Sequence, residues 1–134
     1  MNLVLLFDDD FSEPTVACLS GRRARHIIQV HRAEPGTELR VGKLNGPTGR
    51  GVVTALGPGA VTLAVALDQP APQPLPLTLV LALPRPKMLK RIYRSVTELG
   101  IKDIYLINTW RVEKSFWHSP ALEPDNYTPY LLEG

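Results

Sequence analysis

Residues 77–83 (LTLVLAL) form an apolar run without alternation, the pattern of a strand covered on both faces of a parallel sheet. Pro84 and Pro86 punctuate a turn after this run, and from residue 87 to 99 the period becomes helical. At about 100° per position, Met88, Leu89, Ile92, Val96 and Leu99 fall on one side, and Lys87, Lys90, Arg91, Arg94 and Glu98 on the other. Gly100 closes this helix, residues 101–103 link, and a second apolar run occupies residues 104–107. Strand, helix, strand in that order predicts a right-handed βαβ crossover with parallel strands.

Upstream the pattern mostly has period two. Residues 3–7 read as a first strand and Asp8-Asp9-Asp10 as a solvated loop. Ser20 is positioned to cap a helix from about residue 22 to 33, with Ile27, Ile28 and Val30 inward and Arg22, Arg23, Arg25 and Arg32 outward. Glu34-Pro35-Gly36 ends it. Alternation then places Leu39 and Val41 on one face of a strand over residues 37–43, a hairpin loop spans 45–49, and residues 51–56 return. A further turn at 57–59 leads to Val61, Leu63, Val65 and Leu67 in a third alternating strand. Short strands with close turns predict a small twisted barrel or sandwich. Residues 68–76 (DQPAPQPLP) hold four prolines and read as a stiff extended linker, which divides the chain into domains 1–70 and 71–134. The expected fold class is therefore mixed α/β: a small N-terminal β-barrel followed by an incomplete parallel α/β domain.

Ligands of open α/β sheets bind at the carboxyl ends of strands, so the polar stretch at residues 108–117 stands out, with Arg111 and Lys114 as candidates. Trp110 and Trp117 either stack on bases or, by default, pack. The remaining residues are proline-broken, and a last helix is expected to start at Thr128. Two parallel strands with one crossover helix do not complete a sheet.

The net charge of +2 is too small to argue a polyanion partner, but between residues 22 and 50 seven basic residues face two acids, Glu34 and Glu38. Five basic residues and no acid between Arg85 and Arg94 add a second cationic surface. The single cysteine, Cys18, cannot form an internal disulfide and is expected to be a buried, inert thiol. No metal is expected: adjacent carboxylates seldom converge on one ion, and His26 and His31 are five apart, off the spacing that stacks two imidazoles. The apolar start is too short for a signal peptide, and no run is long enough to span a bilayer, so a cytoplasmic protein is expected.

Several segments together resemble the ribosomal RNA small-subunit methyltransferase E family. They are Arg25-His26 to His31-Arg32 followed by Pro35-Gly36 and a strand; Leu81-Ala82-Leu83-Pro84 with Lys87; Thr97-Glu98-Leu99-Gly100-Ile101; and the run from Arg111 to Trp117. Their order and spacing across nearly the whole chain carry the likeness. The resemblance implies a PUA-like barrel joined to the beginning of a SPOUT-type domain. It also implies methyl transfer from S-adenosylmethionine to N3 of a uridine in 16S rRNA of the small ribosomal subunit, usually by a homodimer. Arg111 and, second, Lys87 would then be catalytic, while Arg22, Arg23, Arg25, His26, His31, Arg32, Arg40, Lys43 and Lys114 would hold RNA. Family members continue for about as many residues again, into a trefoil knot that holds the methyl donor, so the chain reads as a piece of a longer enzyme. On that reading these 134 residues alone are inactive and bind no S-adenosylmethionine. The alternatives are a non-catalytic RNA-binding module and a fragment that self-associates.

Overall fold

The computed structural model describes residues 3–134. They form two compact units, Met1–Pro72 and Gln73–Gly134. In the first, β1 (Val4–Leu6) leads through a 3-10 turn at Asp8–Asp10 into β2 (Phe11–Glu13) and β3 (Val16–Ser20); α1 (Gly21–Gln29) and then β4 (Glu38–Lys43), β5 (Thr48–Gly57) and β6 (Ala60–Gln69) come next along the chain. The six strands make one sheet in the order β1-β4-β5-β6-β3-β2, antiparallel except where β1 lies parallel to β4 with Val4 opposite Val41.

The outer strands of that sheet, β1 and β2, are neighbours in sequence. Lying flat, six strands would hold their outer members about 24 Å apart. The link from Leu6 to Phe11 reaches about 17 Å even fully extended, and here it is wound into a 3-10 turn. The sheet is therefore strongly curled, with its two edges brought together at this corner. No backbone pairing joins β1 to β2 among the described residues. An ion pair secures the corner instead: Arg23 donates to both Asp10 oxygens (2.6 and 2.7 Å) and to the Leu5 carbonyl (2.8 Å), while the Phe7 N–H donates to Asp10 (2.7 Å). The Asp triplet is thus not simply a solvated loop, since its third member is buried.

Inside the curl, alternate positions build the core: Leu39 and Val41 of β4, Val61, Leu63 and Val65 of β6, and Ala17 and Leu19 of β3, with Ile27 of α1 packed against them. That same alternation in β3 turns Cys18 outward, so the expectation of a buried thiol is overturned. Val30 is also exposed rather than inward, because α1 stops at Gln29. Beyond it, Arg32 adopts a left-handed φ of 49°, the His31 N–H donates to the His26 carbonyl (3.3 Å) and the Ala33 N–H returns to the Ile27 carbonyl six positions back (3.3 Å), which together turn the chain out of the helix.

The second unit contains β7 (Leu75–Ala82), α2 (Pro86–Glu98), β8 (Ile101–Ile107) and α3 (Pro124–Glu133). β7 and β8 are parallel, with Leu81 opposite Leu106, as the apolar runs predict. Pro86 opens α2, where a missing N–H leaves no bond unmade. Gly100 takes the φ of +78° that the sharp return into β8 requires. Leu89 and Tyr93 of α2 pack with Leu81, Leu83, Ile104 and Leu106. Among the described residues helical cover lies on this face only: Val80 is 59% and Tyr105 62% exposed, so β7 is not the doubly covered strand its composition predicts. Two 3-10 turns, Lys114–His118 and Pro120–Leu122, lead into α3, which begins at Pro124 rather than Thr128. α3 is held to α2 by the Arg94–Glu133 ion pair and by the Tyr93 and Tyr127 rings, 5.6 Å apart. Burial, with Tyr127 beside it, pushes the Tyr93 phenol above its ordinary pKa.

Candidate nucleic-acid interface

Parallel strands put the ends of β7 and β8 on one side of the second unit, and the Leu83 N–H still donates to the Ile107 carbonyl (3.0 Å) at that end. The chain then makes a tight turn: the Val112 N–H donates to the Thr109 carbonyl (3.0 Å), which leaves Trp110 and Arg111 as its two corner residues. Val112 and Phe116 pack into the core beneath and anchor the turn's far side. The Arg111 guanidinium lies 4.7 Å from the centre of the Trp110 ring. Arg111 has no acidic partner among the described residues, which leaves its donors for an external anion.

Trp117 behaves differently from Trp110. Its indole N–H donates to the Asn108 side chain (3.2 Å), and it is 36% exposed against 87% for Trp110. Glu113 accepts from the Ser115 hydroxyl (3.0 Å), and Lys114 starts the 3-10 turn with its side chain exposed. Lys87, exposed in the first turn of α2, belongs to the same end of the sheet because α2 comes directly after β7.

In the first unit the sequence candidates separate. Arg25 and Arg32 are exposed at α1 and just after it, and Arg22 is exposed beside them. Arg23 is engaged within the fold by Asp10 and Leu5, so its fork is not displayed to a ligand. Lys43 pairs with Asp8 at 2.5 Å. His26 and His31 meet edge to face with ring centres 5.0 Å apart, and the His26 Nε2 is buried without a hydrogen-bond partner among the described residues. Arg40 stands directly across from Arg50 on the neighbouring strand. Like charges in that register repel unless something negative lies between them. Glu38 supplies part of that, 3.7 Å from Arg50, and the two arginines line a depression of about 530 Å³ with Thr48, Asp68 and Gln69. Arg50 is absent from the sequence candidates; the strand period, which sets Arg40 and Arg50 across one hairpin, is the signal that would have found it.

Residues 71–134 match the RNA methyltransferase domain family. Over its whole length the chain is 33% identical to ribosomal RNA small subunit methyltransferase E of Treponema pallidum, of which it covers 51%. Among solved structures, a probable rRNA-methyltransferase from Porphyromonas gingivalis superposes with a TM-score of 0.68 at 14% identity, over 96% of this chain and 53% of that one. Ribosomal RNA small subunit methyltransferase E from Neisseria gonorrhoeae, bound to S-adenosyl methionine, does so with a TM-score of 0.63 at 16% identity, over 86% and 48%. Likenesses at such identities establish the fold. The chain spans about half the length of the relatives it matches. The second unit thus matches the RNA methyltransferase domain family, and the whole chain is similar to about half of a ribosomal RNA small subunit methyltransferase E.

Proposed function

We propose that this chain is the N-terminal, RNA-engaging part of a 16S rRNA uracil-N3 methyltransferase, acting on the small ribosomal subunit in the cytoplasm. The observation that carries this reading is the 33% identity, along the whole of this chain, to about half of a ribosomal RNA small subunit methyltransferase E. Residues 1–70 serve as a PUA-like barrel, for which the curled sheet is the support, and residues 71–134 as the opening of a SPOUT-type domain. Arg22, Arg25, Arg32, Arg40 and Lys43, with Lys114 of the second unit, hold phosphates, which fixes position without reading bases. His26 and His31 pack together at the end of α1 and contribute through the shape of that surface.

Uracil N3 carries a proton that must leave before the nitrogen can be alkylated, and the resulting charge spreads onto the base oxygens. Arg111, with no acidic partner at the strand end, is the donor we assign to that charge, with Lys87 second. S-adenosylmethionine is the methyl donor this family implies. The residues present do not by themselves fit it: the second unit has only Gly100, in a tight turn, and Gly134, and so no glycine-rich cradle. We assign the donor site to residues outside these 134 and derive no step through it.

The test is RNA affinity as a function of salt. Neutralising several phosphates gives a log–log slope of about −0.7 to −0.9 for each, so R25A and R40A are each expected to lower the slope by nearly one unit. A flat salt response overturns the RNA reading. A second reading, a non-catalytic module that self-associates, draws on the exposed outer face of β7 and β8. Sedimentation that finds only monomer removes it, as does methyl transfer to small-subunit RNA by the native protein isolated from its own cells.

A further inference from the structure

The corner turn at the end of β8 contains an arrangement that phosphate binding does not require. Trp110 is 87% exposed, although its neighbours Val112 and Phe116 found places in the core and Trp117 found a hydrogen-bond partner. A large indole left in water forgoes substantial apolar burial, so it marks a contact surface more often than a packing accident. The turn that displays it is fixed on both sides, by the Leu83–Ile107 bond before it and by Val112 after it. Its ring is further steadied by the Arg111 guanidinium at 4.7 Å, which leaves most of the indole open.

We infer that Trp110 is a stacking platform for an unpaired RNA base, with Arg111 beside it to meet the charge of that nucleotide. This rests on the RNA reading above and deepens it: Trp110 is a positioning residue that holds a base at the strand end, where Arg111 can reach it. Single-strand binders combine these two elements, an aromatic face that any base can cover and an adjacent cation. The platform prefers unpaired to duplex RNA, because a paired base has both faces occupied.

The experiment titrates the 134-residue chain with a fluorescein-labelled oligouridine and with the same backbone made abasic, by anisotropy. W110A is expected to bind the oligouridine about tenfold more weakly, with the salt slope unchanged, while W110F recovers most of the loss. Abasic backbone is expected to bind wild type and W110A alike. In a W117F background, where Trp110 is the sole indole, oligouridine should quench the emission and the abasic backbone should not. If oligouridine binds normally but W110A matches wild type and no quenching occurs, the platform is refuted while the RNA reading stands. Failure of both oligonucleotides to bind overturns the two together.

Discussion

Replacing Arg23 with methionine removes the side chain that secures the meeting point of the two sheet edges. Three hydrogen bonds go with it, two to Asp10 and one to the Leu5 carbonyl, as does the contact of the guanidinium with the Phe7 ring at 4.8 Å. Asp10, only 9% exposed, is left with the Phe7 N–H as its remaining donor. Removing one partner of a buried pair costs about 3–5 kcal/mol; because Arg23 is 26% exposed, water can reach the gap and the lower end, about 3 kcal/mol, applies. A unit of this size is stable by only about 4–11 kcal/mol, and the loss translates into a fall in melting temperature of about 12–24 °C. Both tryptophans lie in the second unit, so their fluorescence does not report this transition. Hydrogen exchange of the Leu6 and Val41 amides through a urea series does. D10N, which keeps an acceptor for Phe7, is expected to cost about 2 kcal/mol, and the double variant less than the two single losses combined. A loss below about 1 kcal/mol in R23M, with both amides still protected, would refute the assignment of this ion pair as the closure of the sheet.

Other outcomes turn on single positions. A Cβ at Gly49 would sit 1.9 Å from the Ala66 carbonyl oxygen, so G49A must push β5 from β6 and is expected to cost about 3 kcal/mol, read by the same exchange measurement. Native Tyr93 holds its proton to higher pH than the unfolded chain, whose phenols titrate near pH ~10. The stability it contributes is therefore complete below that value and falls as pH rises through the folded pKa. Urea midpoints from tryptophan fluorescence at about pH 9 and about pH 11 should diverge in wild type and diverge less in Y93F.

Local rules made the second unit readable: apolar runs, a helical period and a proline at the helix start each act within a few residues. β8 begins at Ile101 rather than at residue 104 because its first turn of pairing comes from Leu75, which no pattern within β8 announces. β2 and β3 are silent in the sequence for a related reason. FSE is too short to show a period and VACLS is apolar without alternation, and their strand character comes from pairing β3 with β6, forty or more residues away along the chain. The linker is confined to residues 70–74 because β6 and β7 each extend into it. At the candidate interface, residue type singled out Arg111, but only the turn geometry separates Trp110 from Trp117, since both are tryptophans beside basic residues. Arg23 reads as one more exposed arginine until Asp10 is brought to it from thirteen positions earlier.

The parallel pairing of β1 with β4 also sets a timetable for synthesis. Val4 leaves the ribosome 37 residues before its partner Val41, an interval of about 2–7 s at ordinary elongation rates. β4 in turn needs β5, and β5 needs β6, whose last residue is Gln69. Of the strands in this sheet, the one made earliest is therefore among the last to be satisfied, and throughout that interval its apolar side chains lack the cover they have in the finished fold.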